Sequence, residues 1–84
     1  MTRDETRAVV LDVLRTVAPE AVDTPLADDR SLRAQLDLDS LDFLAFVERL
    51  VERTGARIEE SDYPQIDTLE GCVAFLADST RSPR

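Results

Sequence analysis

Three segments of the chain repeat one apolar spacing. Val10, Val13, Leu14 and Val17, then Phe43, Phe46, Val47 and Leu50, then Leu69, Cys72, Val73 and Leu76 each fall at i, i+3, i+4 and i+7. A helix places such a set on one face, and no stretch of the chain shows the two-residue alternation of a strand. With 84 residues there is room for one domain. Three stripes can then be buried only against one another. The spacing therefore predicts an all-α fold, a small bundle of three main helices and one short one. A chain this short buries only about 60% of its unfolded surface, so the core is thin and a deep enclosed pocket is not expected.

Each stripe lies between start and stop signals. Thr2 precedes Glu5 by three residues, a capping-box pattern, and Pro19 stops the first helix just after Ala18. Asp39 is a good N-cap for a second main helix over residues 40–54, with Gly55 as its left-handed stop and Arg49 and Arg53 near its negative end. The last helix begins near Asp67 or Thr68, with Asp67 and Glu70 as a cap-like pair. Gly71 inside that helix costs about 1 kcal/mol relative to alanine, which predicts close helix packing there. Between the first two main helices runs a long connection, residues 19–39, anchored by Leu26, Leu32, Leu36 and Leu38. Ser31 is placed to cap a short turn in which Leu32 and Leu36 align. The acidic segment Glu59-Glu60-Ser61-Asp62-Tyr63 is limited to one or two helical turns by Pro64, with Ile58, Tyr63 and Ile66 tucked inward. The domain is predicted over residues 1–78, followed by a mobile polar tail, residues 79–84.

Composition removes several function classes. The chain has no histidine and one cysteine, Cys72, so neither an internal disulfide nor a cysteine–histidine zinc cage can form, and histidine acid–base catalysis is out. Cys72 lies on an apolar helix face and reads as a small core residue. The net charge of −8 argues against nucleic acid and points to basic protein partners. No apolar run is long enough to cross a bilayer, and the N-terminus lacks the apolar core of a secretion signal. A cytoplasmic monomer that is not an enzyme is the expectation. The charge is also localised. Asp37, Asp39 and Asp42, together with Glu59, Glu60, Asp62, Asp67 and Glu70, lie in two arginine-free stretches and equal the whole net charge. They read either as chance clustering on solvated loops or as one acidic face, assembled from two stretches, that steers a basic partner.

The segment Leu38-Asp39-Ser40-Leu41-Asp42 carries the functional reading. It places a serine hydroxyl on the first turn of the second main helix. Backbone N–H groups point outward there and the helix dipole favours negative charge, so the position suits a phosphate. Leu41, Leu44, Glu48 and Val51 lie on a neighbouring face, either as a wide core stripe or as an exposed apolar strip for docking other proteins. Leu44, four residues after Ser40, is the first candidate for docking.

In this frame of helix lengths, loop length and acidity, Asp39-Ser40-Leu41 resembles the acyl carrier proteins over nearly the whole chain. The resemblance implies that fold: a four-helix bundle with a long loop between the first two helices and a short third helix. It implies that Ser40 is the attachment point of 4′-phosphopantetheine, donated by coenzyme A through a phosphopantetheinyl transferase and magnesium. Asp39 and Leu41 then match the residues flanking the family's serine, and Asp42 matches a further acid common in fatty-acid and polyketide carriers. Acyl groups would ride on the arm's thiol as thioesters and be delivered to acyl-loading and acyl-processing enzymes. Asp37, Asp42, Leu44, Glu48, Glu59, Glu60 and Asp62 would meet those partners, without nucleic acid or membrane insertion. A chain sheltered between helices would lie against Phe43, Phe46, Val47 and Leu69. The chain departs from the family at Asp37, where glycine is usual; aspartate can visit the left-handed region. Its second main helix is also less acidic than is typical, which favours a specialised pathway. Two other readings stand beside this one: a carrier of aminoacyl or peptidyl groups, and an unmodified acidic helical adaptor.

Overall fold

The computed structural model describes residues 2–19 and 25–81, with side chains as far as Asp78. It contains α1 (Arg3–Val17), α2 (Leu32–Leu36), α3 (Ser40–Thr54), α4 (Tyr63–Ile66) and α5 (Leu69–Arg81), with a 3-10 turn over Glu60–Asp62 leading into α4. Among the described residues the only β-type pairing is an isolated bridge between Ser31 and Thr68.

The helix ends follow from local chemistry. Thr2 caps α1: its hydroxyl accepts the Glu5 N–H at 3.1 Å, and the Glu5 carboxylate accepts the Thr2 N–H at 2.8 Å. α3 begins at Ser40 under the Asp39 cap and ends at Gly55, which takes the left-handed conformation at φ 73°. Thr68, rather than Asp67, caps α5, its hydroxyl accepting the Gly71 N–H at 3.0 Å. Pro64 does not end the acidic turn. It sits in the first turn of α4, where a missing N–H is harmless. α5 continues through Arg81, three residues into the stretch expected as tail, and residues 82–84 lie outside the described residues.

α1 packs against both α3 and α5, and α4 packs on α5. Of the twelve stripe positions, eleven are buried and Val17 is half-buried. Leu32, Leu36 and Leu38 from the connection and Ile66 from α4 complete the core, while Ile58 and Tyr63 pack at its edge. The α4–α5 contact has almost no slack. A Cβ on Gly71 would sit within 2.8 Å of the Thr68 hydroxyl and would overlap the Gln65 carbonyl oxygen, which is backbone and cannot swing aside.

Gly71→Ala should therefore destabilise the protein. Helix propensity alone would add about 1 kcal/mol of stability, but overpacking against backbone typically costs ~1–3 kcal/mol more than it returns. Urea unfolding followed by helical circular dichroism should show a net loss of about 2 kcal/mol; a gain would mean that α4 and α5 are not in close contact.

Candidate functional site

The site is a corner where α2 turns into α3. A five-residue helix cannot sustain itself, and α2 is held from outside. Four N–H groups at its start need acceptors. Leu32 donates to the Asp67 carbonyl at 2.6 Å and Arg33 to the Asp67 carboxylate at 3.1 Å. Ala34 donates to the Ser31 hydroxyl at 3.2 Å and Gln35 to the Ser31 carbonyl at 3.0 Å. The Ser31 hydroxyl in turn donates to the other Asp67 oxygen at 2.7 Å. The stretch before α2 is tied down as well. Gln35 exchanges a pair of bonds with the Ala27 backbone and donates to the Arg30 carbonyl. Asp28 pairs with Arg7 at 3.2 Å and its carbonyl accepts the Glu70 N–H at 3.0 Å.

Asp37 ends α2 in the left-handed conformation, φ 55° and ψ 45°, and its N–H and that of Leu38 both donate to the Arg33 carbonyl. This is the backbone turn the sequence assigned to it, made with an aspartate. Leu38 then drops into the core, and Asp39, in extended conformation, caps α3. Its Oδ1 accepts the Asp42 N–H at 2.8 Å and its carbonyl accepts the Phe43 N–H at 2.9 Å. Ser40 follows as the first residue of α3, exposed. Among the described residues neither its hydroxyl nor the N–H groups of Ser40 and Leu41 have a partner. A phosphate ester on this oxygen would meet two open N–H donors and the positive end of a fifteen-residue helix.

Beneath Ser40, Phe43 is buried and packs edge-on against Tyr63, with ring centroids 5.4 Å apart and planes at 77°. Tyr63 follows directly on the acidic turn, so the end of that turn is tied to α3 through this ring contact. The α3 outer face is an exposed apolar strip and not extra core: Leu41 is 76% exposed, Leu44 41% and Val51 36%, with Glu48 exposed among them. Asp42 is half-buried. Asp62 has a structural duty, its carboxylate accepting the Glu59 N–H at 3.0 Å, and Glu59 pairs with Arg57 at 3.5 Å.

Not all eight clustered acids share one face. Asp67 is spent on α2, and Glu70 lines a shallow cleft with Arg3, Arg7 and Asp28 at the start of α1. Of the remaining six, Asp37, Asp39 and Asp42 flank Ser40 in the chain, and Glu59, Glu60 and Asp62 lie on the turn that leads into α4. Among the described residues no three acidic or cysteine side chains converge as a metal site, and no helix is long and apolar enough to cross a membrane. Cys72 is buried, and loss of solvation pushes its thiol up to about 12. Sequence reasoning missed two features of the site. The Asp67 anchor has no local signal. The Arg33 guanidinium lies 5.4 Å from the centroid of the Phe43 ring, and its only signal was the isolation of one cation among acids.

The family model described as phosphopantetheine attachment site matches residues 5–76. No curated protein matches the chain.

Removing the Asp67 carboxylate should free the start of α2. Asp67→Ala is expected to cost about 2 kcal/mol, since it leaves the Arg33 N–H and the Ser31 hydroxyl without acceptors. Amide exchange should quicken at residues 32–38 before it quickens in α1. Uniform quickening across the chain would show that α2 does not depend on this anchor.

Proposed function

Since the chain belongs to the phosphopantetheine attachment family, we propose that Ser40 bears the 4′-phosphopantetheine arm and that the protein tethers acyl groups and delivers them to enzymes of fatty-acid, polyketide or related specialised biosynthesis. One observation carries the reading: Ser40 is an exposed hydroxyl at the head of α3, without a partner among the described residues and fixed in place by its neighbour Asp39. When attached, the arm supplies a thiol on which acyl groups are held as thioesters.

The chain's own part in loading is small. The Ser40 oxygen attacks the pantetheine phosphorus of coenzyme A. A serine–phosphorus bond forms, the phosphoanhydride bond breaks and adenosine bisphosphate leaves with the bonding pair. The hydroxyl proton passes to a base on the transferase. Asp39 is engaged as a cap, and the chain has no histidine. The N–H groups of Ser40 and Leu41 and the helix dipole stabilise the charge that collects on the new ester. Buried Cys72 does not compete as a nucleophile or as an acyl acceptor.

Docking falls to the surface around this hydroxyl. Leu41 and Leu44 offer apolar contact area, and Asp42, Glu48, Glu59 and Glu60 offer a field that draws a basic partner. Modest affinity and quick release suit a shuttle, and tethering gives each partner a high local concentration of cargo. The pair Asp39 and Asp42 around Ser40 favours acyl over aminoacyl cargo.

Incubation with coenzyme A, magnesium and a promiscuous phosphopantetheinyl transferase should add one arm to the intact mass, and Ser40→Ala should abolish the gain. A thiol reagent should then label the loaded native protein once and the unloaded native protein not at all, because Cys72 is shielded. No gain under conditions that load a control carrier would count against the whole reading. Neutralising Asp42 and Glu60 together should slow loading about threefold at low ionic strength and flatten its salt dependence. An unchanged rate and salt response would assign those acids to solubility alone.

A further inference from the structure

Arg33 is the only cation between residues 31 and 48, the stretch that builds the turn before Ser40 and the first half of α3. Asp37, Asp39 and Asp42 share that stretch. Among the described residues Arg33 nevertheless makes no ion pair, and its side chain donates no hydrogen bond. Its guanidinium rests over the Phe43 ring instead. That seat is firm on both sides. Phe43 is buried between Phe46 and Tyr63, and the Arg33 backbone N–H is held by Asp67. A guanidinium stacked on a ring keeps its N–H fork available to an anion, and the fork matches phosphate oxygens. Phe43 lies three residues after Ser40, one helical turn along the same side of α3.

Resting on the reading that Ser40 carries the arm, we propose that Arg33 is the counter-charge for the phosphodiester formed there. A phosphodiester on Ser40 adds a negative charge to a corner that already holds Asp37, Asp39 and Asp42. With no cation in reach, those carboxylates would push the root of the arm outward. Arg33 meets it from the α2 side, while the Ser40 and Leu41 N–H groups meet it from the helix. The arm is then rooted along the Phe43 edge of α3, beside the apolar strip where partners would dock. Arg33 is a positioning residue in this role, since it touches neither the thiol nor the cargo.

The test is a cycle of four proteins: wild type and Arg33→Gln, each before and after loading with the arm. Loading should leave the wild-type Tm unchanged or raise it. In Arg33→Gln, loading should lower Tm by about 2–4 °C relative to that behaviour at low ionic strength, the size expected of one exposed charge pair in a small domain. The difference should fade at salt on the order of 0.5 M. Arg33→Lys should retain part of the coupling, and Arg49→Gln, the same charge change further along α3, should show none. The phosphorus-31 resonance of the arm should differ between wild type and Arg33→Gln. In the wild type it should move with salt, a reading that needs no substitution. Equal loading shifts in Tm, with coincident and salt-insensitive phosphorus resonances, would overturn the Arg33 role and leave the carrier reading intact. Failure of Ser40 to accept the arm while a control carrier is loaded would overturn both.

Discussion

Asp67 holds the functional corner together. Its carbonyl and both carboxylate oxygens accept from Leu32, Arg33 and Ser31, which lie 34 to 36 residues away in the chain. Isolated, a helix of α2's length would not form, because nucleation costs more than one turn returns. Supplied with acceptors at its start, α2 becomes a fixed strut. Leu32 and Leu36 then point into the core, Asp37 makes its left-handed turn, and Leu38 is drawn inward. Asp39 and Ser40 are left outside at a defined place. Asp67 itself is positioned by the close contact of α4 with α5 at Gly71. A glycine on α5 is thereby linked through two short helices to a hydroxyl on α3.

A rigid frame under an exposed site is suited to presenting that site to a partner. The apolar stripes are consumed in the core, so the apolar area left outside is concentrated on α3, at Leu41, Leu44 and Val51. The core beneath is built from apolar side chains such as Phe46, Leu50 and Ile66. It supplies a stable orientation for one helix start, whose electrostatics favour a phosphate whether or not any side chain helps.

Much of this was legible in the sequence because it is local. The three stripes, the Thr2–Glu5 box, the Asp39 cap and the Gly55 stop depend on residues within a turn or two of each other, and each is found where the spacing put it. Ser31 as a cap was readable for the same reason, while the left-handed turn at Asp37 was expected only from the family resemblance, in which glycine is usual there. One local reading erred, and another held in extent (one or two helical turns) but not in the place of its proline, where a rule allows two outcomes. Asp67 and Thr68 are both good caps, and the one whose carboxylate found a distant partner gave up the role to the other. Proline is excluded from helix interiors but welcome in a first turn, and Pro64 took the second option. What was not legible is the pairing of residues far apart in the chain. The clustering of eight acids suggested one face, but only packing could show that Asp67 turns inward to α2 and Glu70 faces α1. The exposure of Leu41 and Leu44 was likewise undecided by spacing, since a wide stripe and a docking strip look the same along a helix.

If Ser40 bears the arm, as proposed, the acids Asp37, Asp39 and Asp42 beside it would act in two opposed ways. Carboxylates that attract a basic transferase also repel the phosphate being transferred, and both effects act over the same few ångströms. A site of acids alone would bind its modifier well and hold the product badly. On that reading the corner offsets this by mixing its carboxylates, of which Asp39 accepts the Asp42 N–H and orders the helix start without covering it, with uncharged donors, the N–H groups of Ser40 and Leu41, open among the described residues. Seating Arg33 on a ring rather than against an acid keeps one full positive charge in the same place. An Arg33–Asp39 ion pair would neutralise both groups and weaken the cap. The cation–π seat leaves the aspartate in the helix start and the guanidinium fork open, as the proposed role of Arg33 requires.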